Sequence, residues 1–239
     1  MSDILVSRPG AARVAELRLA YGHLPALDLL QAMVRREFPG RIAVTSSFGA
    51  ESAVLLDLVA QVDPHTPVIF LDTDALFDET VSYYQDLQRR LGLTDVRCVR
   101  PSDTELRAAD NLWHSDVETC CHLRKVLPMQ RATAGFHALI DGRKGFHGAE
   151  RASIEAIEPG AGGVAKISPL VRWTAADIDN AFAERNLPRH PLVAKGYRSI
   201  GCWPCTRPVA EGEPVRAGRW PGAAKTECGI HTLKWAINE

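Results

Sequence analysis

The stretch RIAVTSSFGAESAVLLDLVAQV, residues 41–62, decides the fold class. Arg41 to Thr45 is a short run rich in apolar and β-branched residues, which predicts a strand. Ser46-Ser47-Phe48-Gly49-Ala50 is a small-residue turn. From Glu51 to Val62 the apolar residues Val54, Leu55, Leu58 and Val59 fall at helical spacing, which predicts a helix. In an open parallel sheet, ligands sit beyond the carboxyl ends of the strands. A turn opening a helix there offers free backbone N–H groups and the positive end of a dipole. Thr45, Ser46 and Ser47 add hydroxyls. The turn lacks the Gly-Lys-Ser/Thr ending of a Walker A loop and the glycine pattern of a dinucleotide loop. Gly222-Ala-Ala-Lys225-Thr226 has half a Walker loop and no second glycine, so it is set aside.

The alternation continues outward. Residues 67–73, 95–100, 137–141 and 164–168 read as strands. Residues 25–38, 78–91, 119–136 and 174–185 read as helices, with Thr174 a cap. Strands alternating with helices imply an α/β fold with an open parallel sheet flanked by helices. From Pro188 onward, Pro and Gly break every regular pattern. The expected division is an α/β domain over residues 1–187 and an irregular C-terminal segment over residues 188–239.

The chain has 239 residues, 46% hydrophobic and 24% charged, enough apolar material for one core. Its net charge is −1, which argues against a bulk binder of nucleic acid or acidic membranes. No apolar run is long enough to span a bilayer. The first thirty residues carry charges throughout and show no secretory signal, so a cytoplasmic location is expected. The near-zero total hides an uneven distribution. Residues 51–116 hold 13 acidic and 5 basic residues, whereas residues 120–151 hold 6 basic and 2 acidic. Residues 190–239 hold 7 basic and 4 acidic. Five of the 6 cysteines lie in the two basic segments, which suggests a positive pocket for a small anion built near the cysteines.

Cys120-Cys121 and Cys202-Trp-Pro-Cys205 form two distant pairs. In reducing cytosol a disulfide framework is not expected. Four thiolates allow structural zinc or an iron–sulfur cluster. The adjacent pair favours a cluster, whose separate iron corners accept neighbouring cysteines more easily than one tetrahedral ion does. Of the five cysteines in the basic segments, Cys228 is then left over as a free thiol, and Cys98 lies elsewhere.

The turn resembles the modified pyrophosphate loop of the adenine-nucleotide α-hydrolases, and its Ser-Phe-Gly form is that of assimilatory sulfonucleotide reductases. Leu71-Asp72-Thr73 matches a segment near the adenosine in that family. Cys120-Cys121-His-Leu-Arg124-Lys125-Val-Leu-Pro128, residues 190–205 and Thr226-Glu-Cys228-Gly-Ile-His231 are similar to the cluster and catalytic segments of its cluster-containing adenylyl-sulfate reductases. The matches run from about residue 41 to 231. The resemblance implies a 4Fe-4S cluster on Cys120, Cys121, Cys202 and Cys205, with Cys228 as nucleophile and His231 beside it. It implies a substrate site from Ser46, Ser47, Phe48, Gly49, Glu51, Leu71, Asp72, Thr73, Lys125, Arg143, Arg216 and Arg219. The implied reaction is reduction of adenosine 5′-phosphosulfate to sulfite and AMP in sulfate assimilation and cysteine biosynthesis, with thioredoxin as dithiol donor.

Further expectations are a homo-oligomer, and a C-terminal tail made mobile by the glycines at 218, 222 and 229. Three rivals remain: the same reaction on the 3′-phosphorylated nucleotide, which a carboxylate at Glu51 disfavours, a tRNA-thiolating enzyme using ATP, and a zinc-stabilised binding module.

Overall fold

The computed structural model describes residues 8–148, 151–223 and 225–232, with side chains described as far as Ile230. In chain order it has helices α1 (Gly10–Tyr21) and α2 (Ala26–Ala32), strand β1 (Ile42–Ser46), helix α3 (Ser52–Val62), strand β2 (Val68–Leu71) and helix α4 (Asp78–Leu91). Strand β3 (Val96–Val99) and the short helices α5 (Asp103–Ala108), α6 (Leu112–Ser115), α7 (Val117–Cys121) and α8 (Leu127–Thr133) follow. Then come strands β4 (Ala138–Ile140), β5 (Ile157–Pro159) and β6 (Ala165–Ile167), helix α9 (Ala175–Glu184) and the single turn α10 (Gly229–Thr232).

The sheet has six strands in the order β3-β2-β1-β4-β6-β5. All neighbours pair in parallel except β5, which runs antiparallel to β6. The expected parallel sheet therefore carries one antiparallel edge. Strand β5 is three residues long and ends at Pro159, a residue that only an edge strand tolerates. Strand order reverses between β1 and β4, so the crevice beyond their carboxyl ends is the place for a ligand. Phe70, Val44, Ile140 and Ile167 lie in the buried core that helices cover on the sheet's faces. None of the described helices is long and apolar enough to cross a membrane.

Two predicted helices are interrupted. The helix expected over 25–38 is α2 followed by a π-turn, Met33–Glu37. The helix expected over 119–136 is α7, a π-turn at His122–Val126 and α8. Pro128 has no N–H to offer Arg124, so the α ladder is broken at that point. The π-turn buries both Arg124 and Lys125 beside the cysteine pair.

Candidate active site

A cavity of about 230 Å³ sits at the carboxyl ends of β1, β2 and β4. Its floor is the turn after β1. Ser46 Oγ accepts the Phe48 N–H at 3.2 Å, closing a tight local turn ahead of α3. Gly49 lies against the backbone of Ile200, where a Cβ would make ordinary contact with the Ile200 carbonyl oxygen at 3.6 Å. The loop after β4 supplies Arg143, Lys144 and His147, and the C-terminal segment supplies Arg198, Arg216, Arg219 and Cys228. Seven Lys or Arg side chains line the wall against three carboxylates, Glu51, Asp141 and Glu227. The cavity is built for an anion.

Ser46, Ser47, Gly49, Glu51, Leu71, Thr73, Lys125, Arg143, Arg216, Arg219 and Cys228 all lie on this wall, as does Cys202. Two of the nominated substrate residues do not. Phe48 adopts a left-handed φ of 47°, and its fully buried ring packs edge-on against Phe70 and Tyr84. It is a core residue, and its place in the turn is a backbone one. The Asp72 carboxylate is turned to Arg100, 3.3 Å from its Nε, and to the Asp74 N–H. His231 belongs to α10, but its side chain lies outside the described residues.

Several cations are already engaged. Arg143 Nε donates to Asp141 at 2.8 Å, and Arg143 Nη2 donates to Ser168 at 3.0 Å and to Glu158 at 3.1 Å. Arg143 is thus a buried brace of the wall. Lys144 Nζ and His147 Nε2 lie 2.7 and 3.1 Å from Glu51 Oε2. Burial pushes the Glu51 carboxyl up, but His147 and Lys144 prevail and hold it at about 2. Arg219 stacks on Trp220 and reaches the Ile200 carbonyl at 3.3 Å. Arg216 is pushed down to about 10 by burial and by neighbouring Arg151.

The two cysteine pairs lie near enough to act electrostatically on one another, with Cys202 on the wall itself. All four thiols are free and buried. Burial pushes Cys120, Cys121 and Cys205 up, Cys121 to about 11, and Cys202 adds to the effect on each. Burial also opposes ionisation of Cys202, but Lys125 and the Thr73 hydroxyl outweigh it and hold that thiol down. Burial would push the Lys125 ammonium down, yet Cys202, Cys228 and Cys121 around it keep it protonated. Among the described residues, no three His, Cys, Asp or Glu side chains close into a ready site for a metal ion.

The segment carrying Cys202 is held in place upstream. His190 Nε2 lies 3.0 Å from Thr80 Oγ1, Tyr83 Oη donates to the Pro188 carbonyl at 2.8 Å, and the Trp203 N–H donates to the Ala75 carbonyl. The tail is docked as well. Ile230 packs on the apolar group formed by Ala43, Ile69, Leu71, Met129 and Phe136. Of the three glycines expected to loosen it, Gly218 and Gly229 are close-packing positions. Their Cβ atoms would stand 2.2 Å from the Arg207 carbonyl oxygen and 3.1 Å from Val126. Only Gly222 has a left-handed φ, of 83°.

Sequence reasoning missed Lys144, His147, Arg151, Arg198 and Glu227 as wall residues. The signal for Lys144 and His147 was available: both follow the end of a parallel strand beside the switch in strand order.

The fold and the turn have close parallels. The chain is 45% identical over 224 residues to the adenosine 5′-phosphosulfate reductase of Mesorhizobium japonicum, covering 92% of this chain and 88% of the relative. It is 47% identical over 220 residues to the enzyme of that name from Chelativorans, covering 90% and 89%. Among solved structures, the phosphoadenylyl-sulfate reductase of Candida auris in a phosphate complex matches with a TM-score of 0.69 and 25% identity, covering 84% of this chain and 98% of that one. Yeast FAD synthetase, at 16% identity, covers 83% of this chain and 75% of that one with a TM-score of 0.53, and shares the fold. The model of the phosphoadenosine phosphosulfate reductase domain matches residues 41–208, the span holding the turn, both cysteine pairs and the loops after β2 and β4, and the chain belongs to that family.

Proposed function

We propose that this chain reduces adenosine 5′-phosphosulfate to sulfite and AMP, with Cys228 as the attacking thiolate. One observation carries the reading: the Cys228 thiol sits on the wall of a cavity whose charged groups are mostly cations. The names of its relatives support the substrate. Cys228 Sγ bonds to the sulfate sulfur, the S–O bond to the phosphate breaks, and AMP leaves with that electron pair. Attack by a thiolate on a doubly anionic group requires fixed positive charge, which Lys125, Arg216 and Arg219 provide. A dithiol donor, proposed to be thioredoxin, then attacks Cys228 Sγ. Sulfite departs with the S–S electron pair. The second donor thiol displaces Cys228 from the mixed disulfide, so the donor ends as a disulfide and Cys228 as a thiol.

Cys120, Cys121, Cys202 and Cys205 are proposed to hold a 4Fe-4S cluster. Four buried thiols flanked by the buried cations Arg124 and Lys125 are a fitting donor set and counter-charge for it. When bound, the cluster supplies a fixed local charge and a tie between the two cysteine segments. No step above passes through it.

The test is anaerobic purification followed by sulfite and AMP assay with the nucleotide and with its 3′-phosphorylated form. Iron with acid-labile sulfide, sulfite from the unphosphorylated nucleotide and a sulfonate adduct on the Cys228 peptide are expected. Cys228→Ser abolishes sulfite and keeps iron. Sulfite formed with no adduct on that peptide would overturn the mechanism, and preference for the 3′-phosphorylated form would overturn the substrate.

A further inference from the structure

The residue before the nucleophile has a role of its own in the geometry. Arg151 Nη2 donates to Glu227 Oε2 at 2.9 Å, and Arg151 Nε contacts Oε1 of the same carboxylate. Arg216 Nη2 lies 3.4 Å from Glu227 Oε2 and donates to the Thr226 carbonyl at 2.8 Å. Both guanidiniums line the cavity, and the side chains of Arg151 and Glu227 are only 9% and 16% exposed. Two neighbouring guanidiniums repel, and burial strengthens the effect. Glu227 is the carboxylate between them.

The tail has other anchors besides this ion pair. Lys225 pairs with Glu118 and covers Trp220, and Ile230 sits in its apolar seat. Those contacts fix the tail on either side of Cys228. Glu227 fixes it where the nucleophile meets the cavity.

We infer that Glu227 is a positioning residue, which holds Cys228 over the cavity by clamping the tail to Arg151 and Arg216. This rests on the reading of Cys228 as nucleophile. The clamp keeps the thiol at the rim in a single arrangement, so an incoming sulfo group meets a sulfur already in place.

The test separates position from chemistry. Cys228 in the intact protein is alkylated with iodoacetamide, and the modified tail peptide is quantified by mass spectrometry. The rate of S-sulfonate formation is measured in a single turnover. Losing a charge-assisted bidentate bond is expected to raise alkylation of Cys228 about tenfold in Glu227→Gln, with Glu227→Asp restoring most of the protection. Sulfonate formation falls in the same order. Arg151→Gln reproduces the effect, and the double variant adds little to either single one. Equal alkylation in wild type and Glu227→Gln would overturn the clamp. If Cys228 forms no sulfonate even in the wild type while alkylation still responds to Glu227→Gln, the clamp stands and the proposed chemistry falls.

Discussion

Thr73 Oγ1 and Cys202 Sγ lie 3.2 Å apart, joining the loop after β2 to a C-terminal cysteine 129 positions away. The same loop accepts a hydrogen bond at the Thr73 carbonyl from Arg124 Nη1 at 2.8 Å. Thr73 therefore ties both cysteine segments to the sheet. Replacing it by valine keeps the shape and removes the hydroxyl, a loss of about 1 kcal/mol. With the proposed cluster bound, Thr73→Val should fold normally and lose iron several-fold faster in air. Iron content followed over time checks this, and an unchanged loss rate would count against it.

Gly201 leaves room for Arg219. A Cβ at position 201 would stand 2.2 Å from Arg219 Nη2, the far end of a flexible side chain. Gly201→Ala should shift that guanidinium off the cavity wall at little cost to the fold. The expected result is at least a tenfold drop in kcat/KM with Tm changed by no more than about 2 °C. A large fall in Tm would place the role of Gly201 in the backbone instead.

His190 is buried and neutral. Burial lowers its imidazole to about 4, with Glu79 pulling weakly the other way. An unfolded histidine titrates near 6.5, so the unfolded chain takes up the proton first. Stability is thus lost as pH falls from about 6.5 to about 4, by up to about 3 kcal/mol from this group. Denaturant melts across that range should show the slope in the wild type, and His190→Asn should lack it. Equal slopes would remove His190 as the cause.

Glu51 behaves in the opposite chemical sense with the same direction in pH. Its carboxyl is held at about 2 against an ordinary value of 4.5, so its stabilising effect is full above about pH 4.5 and fades towards pH 2. Glu51→Gln leaves Lys144, with a side chain only 6% exposed, beside no anionic Glu51. The variant should lose about 3 kcal/mol at neutral pH. The gap from wild type should close on acidification, and a gap constant down to about pH 2 would refute the pairing.

Much of the architecture could be read from the sequence because its elements obey simple periods. Asp78–Leu91 has the bounds that periodicity predicts, and Thr174 caps α9 with a reciprocal bond to Asp177. Helix α1 escaped notice because only Val14 and Leu17 are buried along its length and no apolar stripe marks it. The π-turns escaped because a one-residue change of ladder leaves the spacing of apolar residues almost intact, although Pro128 was a cue. For the site, motif residues located the cavity but not how its charges are shared. Nothing in the spacing shows that Arg143 braces Asp141, or that Arg151 and Glu227, 76 positions apart, meet. Phe48 shows the limit from the other side, since a residue central to a ligand loop can send its ring into the core.

Recognition and reactivity are written in different lengths of the polypeptide. The turn after β1 and the loops after β2 and β4 all precede residue 209, whereas Arg216, Arg219, Glu227 and Cys228 follow it. A protein shortened to the first 208 residues would lose Cys228 and, with it, Arg216, Arg219, Trp220 and Ile230 from the lining of the cavity itself. The last stretch of chain is therefore both tool and housing, and losing it would open the hollow as well as disarm it.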